Sequence, residues 1–366
     1  MPATRPVRRR SILLAVVASF VIAASGALVA AGPTSAKSYA SFLDAALSTV
    51  ANGGAGTLLR AFDGTNAANS GSDGRVTVLL LGSDYRPTLS GERTDIVMVI
   101  TINPKTRQMA AVSIPRDVAR LPMPGGGTFK ARVNTIFSAY RKSLGRAGAL
   151  DKVRQIIAYT LQIEIDYYVL IRMTAFNSLT DNVGGYNVKI PTAVKDPKFW
   201  DDPRGPQGIY FPSSTAWWLK GNNTALCNGY YKTGQLSKPG ARCDRAIVYV
   251  RTRKGTGNSD FKRQRRAQDV VAAAIRKVGQ RGNGSNLTAL FNAALAQRNA
   301  GSIDTNIPVS LSSALDFYAL LNSATLTQQA VFKPTTYASR ITGTSAYQLK
   351  LTPVRNLTKL WFAPVK

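Results

Sequence analysis

Two groups of acidic and basic residues carry the chemistry available to this chain. The first contains Asp84, Arg86, Arg93, Asp95, Arg116 and Asp117; the second contains Arg251, Arg253, Asp260, Arg263 and Arg266. Taken singly, a charge in a turn is an ordinary solvated residue, and an aspartate at a helix start caps free amides. Taken together, carboxylates interleaved with arginines suit a divalent cation held beside phosphate. Carboxylate oxygens match a hard cation, and guanidinium forks match phosphate oxygens in pairs. The arginines Arg251, Arg253, Arg263 and Arg266 around one loop repel one another unless an anion lies between them. Histidine is absent from the chain. That excludes imidazole acid–base work, Ser-His-Asp triads and most zinc sites.

The first group must be positioned by strands. Val76–Gly82, Ile96–Ile102 and Gln108–Ile114 are nearly continuous apolar runs, which predicts three strands buried on both faces. The charges then fall at strand ends, where ligands bind in open sheets. Met123–Gly127 reads as a flexible glycine turn. Arg132–Leu144 and Gly148–Leu161 have helical spacing. Asp166–Met173 reads as a strand, Ala175–Val183 as a helix and Tyr186–Ile190 as a strand. This alternation predicts an α/β fold, a central mixed sheet flanked by helices in an α/β/α sandwich.

The second group falls on a helix ending near Arg251–Arg253, a glycine-containing loop, and a new helix from Asp260. Arg263 and Arg266, three apart, share a face of it. Lys195–Gly240 is irregular; its Trp200, Trp217 and Trp218 are read as core or lid packing, with a sugar or lipid surface as the alternative. Helices are expected over Val270–Val278, Leu287–Leu295 and Leu311–Leu321, and a strand-like tail over Tyr347–Val354.

Lys and Arg number 47 against 19 Asp and Glu, a net charge of +28. Such a charge implies anionic surroundings: nucleic acid, acidic lipid or a phosphate-rich polymer. Ser11–Ala31 carries no charge and follows Arg5, Arg8, Arg9 and Arg10. This predicts a transmembrane helix with its N-terminus in the cytoplasm; a signal peptide cleaved near Ala36 is the competing reading. Both place the remainder outside the membrane and argue against nucleic acid, for which no recognition motif is present. The expected organisation is a basic N-terminus (1–10), a membrane anchor (11–31), a linker (32–74, with a short amphipathic piece at Tyr39–Val50) and an extracytoplasmic domain (75–366). Cys227 and Cys243 are then expected to form a disulfide. Closing a loop of that size is worth roughly 3 kcal/mol.

From about Arg75 to about Val331 the chain resembles the LytR-CpsA-Psr family of cell-wall phosphotransferases. The segments LLLGSDYR, ERTDIVMVITINP, AAVSIPRD, Val133-Asn134, IDYYVLI, VGGYNV, AIVYVRTR and DFKRQRR occur in order. The chain departs from the family pattern at Cys243, where glycine is usual, at Ile247, where leucine is usual, and at Ala267, which breaks an Arg-Gln-Gln ending. The resemblance implies transfer of a glycopolymer from a polyprenyl-pyrophosphate carrier to a peptidoglycan sugar hydroxyl, at the outer face of the membrane. It implies that Asp84 and Asp95 hold Mg2+, or Mn2+ in its place. It assigns Arg93, Arg116, Arg251, Arg253, Arg263 and Arg266 to the pyrophosphate, and catalytic roles to Asp95, Arg116 and Asp260. Asp260 would orient an arginine or help place the acceptor. The polyprenyl tail would lie in an apolar tunnel between sheet and helices. Asp95, Asp117 and Asp260 are alternative proton acceptors. The polymer (teichoic acid, capsule, arabinogalactan or a protein-linked glycan) is left open, with the Ala- and Arg-rich composition and the expected disulfide favouring arabinogalactan. A non-catalytic binder of anionic wall polymer and a pyrophosphatase, with water replacing the sugar acceptor, are the rival functions.

Overall fold

The computed structural model describes residues 71–86, 91–201, 205–206, 208–221, 243–255, 258–279, 293–307 and 325–365. The expected anchor, the piece at Tyr39–Val50, the helix at Leu311–Leu321 and Cys227 lie outside these residues. Among the described residues no helix is long and apolar enough to cross a membrane.

Strands β1 (Val76–Ser83), β2 (Thr94–Ile102) and β3 (Gln108–Ser113) form an antiparallel meander. A hairpin follows, β4 (Val118–Pro122) and β5 (Thr128–Arg132), and then helix α1 (Ile136–Leu161). Strand β6 (Tyr167–Arg172) leads directly into α2 (Met173–Asn182). Next come β7 (Tyr186–Ile190), β8 (Val194–Asp196), β9 (Trp200–Asp201), β10 (Gly205–Pro206), β11 (Ile209–Phe211) and β12 (Ser214–Leu219). Helices α3 (Ala246–Arg251) and α4 (Asp260–Gly279), with Arg253 in the loop between them, carry the second charged group. The C-terminal part supplies β13 (Ile303–Thr305), β14 (Thr325–Val331), β15 (Ala338–Arg340), β16 (Tyr347–Leu349) and α5 (Leu351–Trp361).

The main sheet has the order β13-β6-β1-β2-β3-β14 and is mixed, with β1–β6 and β3–β14 parallel. Successive side chains of a strand point to opposite faces, and here both faces are covered. Val78, Leu80, Met98, Ile100 and Val169 pack under α2, α3 and α4. Leu79, Leu81, Val97, Val99 and Leu170 pack against α1 and α5. This double burial is why β1 and β2 read as unbroken apolar runs.

The two helices expected on either side of residue 145 are present and meet at Gly145, whose φ of 67° and ψ of −175° interrupt α1 and favour glycine. Several other expectations are corrected. The expected helix at Val270–Val278 is the continuation of α4. The tail expected as strand to Val354 turns helical at Leu351, after only three strand residues. The hairpin β4–β5 frames the glycine turn, and β12 in the irregular stretch pairs with β7. Trp217 donates from Nε1 to the Cys243 carbonyl at 3.0 Å, so it packs against the fold. Trp218 remains partly exposed, with the Lys277 ammonium 4.7 Å from its ring centre.

Candidate active site

A cavity of about 410 Å3 opens at the end of β1, β2 and β6, between this sheet edge and helices α2, α3 and α4. Eight residues singled out in the sequence line it: Asp84, Arg86, Arg93, Asp95, Arg116, Arg251, Arg253 and Arg263. The lining also includes the apolar side chains Ile96, Ile171, Phe176, Phe199, Ile247, Val250, Val270 and Val271. The cavity is therefore walled by charged and by apolar groups.

Asp95 is the electrostatic centre. Its Oδ2 accepts hydrogen bonds from Arg116 Nη1 at 2.6 Å and Arg263 Nη1 at 3.1 Å, and its Oδ1 from Asn134 Nδ2 at 3.0 Å. Its backbone carbonyl takes Arg263 Nη2 at 2.7 Å and Gln264 Nε2 at 3.0 Å. Burial alone would raise the Asp95 pKa, but the guanidinium charges of Arg263 and Arg116 outweigh it and hold the carboxyl below its usual range. Thus α4 is bolted to the start of β2 by three hydrogen bonds from two side chains, Arg263 and Gln264, and Asp95 stays ionised.

Asp84 follows β1, and its Oδ1 caps the Arg93 amide at 2.8 Å. Burial raises its pKa, and the nearby Asp95 charge adds to the effect against that amide bond and the charges of Arg86 and Arg93. Two like-charged carboxylates facing one cavity are the electrostatic condition that a cation relieves. Among the described residues there is no cluster of three or more potential metal ligands, so a divalent ion here would need oxygens from water or substrate. Mg2+ bound mainly through one or two carboxylates and phosphate oxygens has that character. The donor set fits the ion.

Asp260 and Asp117 lie behind this wall, outside the cavity lining. Arg263 Nη2 lies 2.6 Å from Asp260 Oδ1 in an ionic contact, and Arg116 Nε lies 3.7 Å from the same oxygen. Burial raises the Asp260 pKa against the charges of Arg263 and Arg116. Asp117 pairs with Arg132 at 3.1 Å and approaches Arg116 Nε at 3.8 Å. Both aspartates thus orient arginines.

Arg266 is a correction to the expected phosphate set. Its Nε bonds the Tyr249 carbonyl at 2.8 Å, its Nη1 bonds Asn258 Oδ1 at 2.9 Å, and its Nη2 bonds the Thr252 carbonyl. It is buried, absent from the cavity wall, and its pKa is pushed down to about 10 by burial. The residue splints the loop between α3 and α4. Asp196 braces the same loop, accepting Thr252 Oγ1 at 2.7 Å and the Lys254 amide at 3.2 Å. Gly255, at φ +90°, lies so close that a Cβ there would sit 2.0 Å from the Lys195 carbonyl oxygen. Arg251 meanwhile stacks 5.3 Å from the Phe199 ring centre.

Sequence reasoning passed over Glu92, Asn134 as an Asp95 ligand, Arg172, Lys198 and Gln264. Glu92 and Asn134 sit inside the motifs quoted above, which was the available signal. Arg172 carried none, because its partner is 80 positions away. Cys243 is buried and is not a free thiol; its expected partner lies outside the described residues.

A mixed sheet whose edge presents carboxylates and arginines to a partly apolar cavity defines an α/β protein with a site suited to phosphate groups. The LytR_cpsA_psr family model matches residues 49–360, and the chain belongs to that family. Similar proteins include the Bacillus anthracis polyisoprenyl-teichoic acid–peptidoglycan teichoic acid transferase TagU, 32% identical over 202 residues, covering 55% of this chain and 52% of that protein. The Bacillus subtilis enzyme of the same description, TagV, is 26% identical over 241 residues, covering 65% and 51%. The chain spans about half the length of the curated relatives it matches. Among solved structures, B. subtilis TagV aligns with a TM-score of 0.51 at 22% identity, covering 81% of this chain and 100% of that one. TagT bound to LIIa-WTA aligns with a TM-score of 0.53 at 21% identity, covering 80% and 92%. These last two likenesses concern the fold.

Proposed function

We propose that this protein transfers a glycopolymer from a polyprenyl-pyrophosphate carrier to a peptidoglycan sugar hydroxyl, forming a phosphodiester and releasing polyprenyl phosphate. The observation that carries the reading is a single cavity lined both by Asp84, Asp95 and seven arginines and by a set of apolar side chains. That lining suits a diphosphate with a hydrocarbon tail. Membership of a family whose curated members are named as transferases of this kind supports it.

The acceptor oxygen attacks the glycan-side phosphorus, the bond to the bridging oxygen breaks, and polyprenyl phosphate leaves with the electron pair. Such a transfer asks for positioning and charge neutralisation more than for covalent chemistry. Arg93, Arg116, Arg251, Arg253 and Arg263 bind the diphosphate and stabilise charge on the leaving phosphate. Asp84 and Asp95 would hold Mg2+, which would supply Lewis-acid neutralisation of the phosphate oxygens. Because Asp95 is held as an anion by two arginines, it is a weak base and serves as an anchor. The hydroxyl proton passes to a carboxylate, a phosphate oxygen or water. A retained N-terminal anchor would keep the cavity near a carrier in the outer leaflet, and a Cys227–Cys243 disulfide would staple the segment leading to α3.

The test incubates the full chain, in detergent, with a short carrier-linked glycan and a peptidoglycan oligomer, with and without Mg2+. Metal-dependent appearance of the phosphodiester-linked product is expected. Release of polyprenyl phosphate with free glycan phosphate and no linked product would replace transfer by hydrolysis. Binding without release in any condition would leave only a polymer-binding protein.

A further inference from the structure

At the ends of the parallel strands β1 and β6, Ser83 and Arg172 are register partners, and Arg172 lines the cavity beside Asp84. The Arg172 guanidinium donates from Nε and Nη2 to the two oxygens of Glu92, at 2.9 and 3.0 Å. Its flat face lies 3.9 Å from the centre of the Tyr85 ring. Its Nη1 makes no hydrogen bond among the described residues.

Glu92 is completely buried. Besides Arg172 it accepts Ser83 Oγ at 2.7 Å, Arg146 Nη1 at 2.7 Å and Arg141 Nη1 at 3.4 Å. Arg146 reaches it from just past the bend at Gly145 and also pairs with Asp304. Three guanidinium groups therefore surround two carboxylates, and the cluster keeps a net positive charge. Of its arginines, only Arg172 stands in the cavity wall.

A purely structural partner for Glu92 would need neither that placement nor an aromatic cover, and Arg146 fills the structural part from α1. The cavity arginines of the second charged group, Arg251, Arg253 and Arg263, approach from α3, α4 and the loop between them. Arg172 approaches from the sheet side, as Arg93 and Arg116 do, but from the end of β6. A diphosphate presents acceptor oxygens in several directions, and donors on opposite walls can satisfy more of them than donors on one. Fixing the guanidinium plane by a bidentate carboxylate and a ring removes the rotamer entropy a ligand would otherwise have to overcome.

We propose that Arg172 is a further diphosphate-binding residue of this cavity, and that buried Glu92 is the positioning residue that holds it. The inference rests on the carrier reading above and adds to it a contact from the end of β6.

The experiment titrates the full chain, in detergent with Mg2+, with geranyl pyrophosphate and geranyl monophosphate by calorimetry. Arg172→Gln is expected to bind the pyrophosphate about tenfold more weakly, the scale of one lost charge-assisted bond, with a smaller change for the monophosphate. Arg172→Lys retains a cation for Glu92, keeping the comparison readable if the Gln variant unfolds, and should bind between the two. Glu92→Gln should also weaken binding, yet in the double variant the two losses should not add, since Glu92 acts only through Arg172. Unchanged pyrophosphate affinity in both Arg172 variants would overturn the inference and leave the carrier reading standing. Additive losses would overturn the positioning role of Glu92. A wild-type protein that binds pyrophosphate no better than monophosphate would overturn the carrier reading, and the inference with it.

Discussion

Replacing Asp95 by Asn keeps the shape of the side chain and removes the one charge shared by Arg116 and Arg263. The side chains are 18%, 15% and 4% exposed, in that order, so the pairs are largely shielded from water. Removing one partner of a buried pair costs about 3–5 kcal/mol. Residual exposure and the 2.6 Å contact of Arg263 with Asp260 reduce this to roughly 2–3 kcal/mol, still within the scale of a broken charged network. For a domain of this size that is a fall of about 4–10 °C in Tm at neutral pH. The sign of the pH dependence follows from the lowered Asp95 pKa. Its contribution is complete above the unfolded carboxylate pKa of about 4 and is lost as pH falls through the depressed folded value. Thermal unfolding of wild type and Asp95→Asn, followed by circular dichroism between pH 7 and pH 3, should show a gap that closes in acid. A gap under about 1 °C at pH 7, or one that persists unchanged at pH 3, would refute the assignment of Asp95 as a charge anchor.

Asp84 should behave in the opposite way. Its raised pKa means that its ionised form costs stability at neutral pH, so Asp84→Asn should melt at or above the wild-type temperature while losing Mg2+-dependent turnover, read by paired thermal and transfer assays. Gly145→Ala places a Cβ at φ +67° and should cost about 1–3 kcal/mol, measurable as a reduced urea midpoint. Burial pushes the Asp166 carboxyl up to about 7 while its Oδ2 accepts the Thr77 amide. The folded state therefore holds a proton that the unfolded state releases near pH 4, and stability should decline as pH rises from 4 to 7; Asp166→Asn should flatten that slope in a pH series of melts. Arg266→Met should lower Tm by several degrees, because carbonyls of Tyr249 and Thr252 lose their buried donor.

The strands that build the cavity floor were readable because both of their faces are buried, which leaves an uninterrupted apolar run in β1 and β2. The hairpin β4–β5 was not, since β5 (TFKAR) is largely exposed and has no hydrophobic pattern to betray it. The edge strand β14 (TLTQQAV) is likewise mostly polar and is fixed by its parallel partner β3. At the site, ordered aspartates and arginines identified the charged end. Spacing alone, however, could not separate Arg263 from Arg266. Three residues apart on one helix they lie about 60° around the axis from each other, enough for one to meet Asp95 and the other to turn to the Tyr249 carbonyl. Glu92 reads as one more loop charge until the register of β1 with β6 brings Arg172 alongside it.

The most direct measurement is a structure of the full chain with a short polyprenyl pyrophosphate and Mg2+. The diphosphate should lie among Asp84, Asp95, Arg93, Arg116, Arg251, Arg253 and Arg263, with the hydrocarbon chain running past Ile96, Phe176, Val250 and Val270. A diphosphate on the exposed basic surface, with this cavity empty, would contradict it.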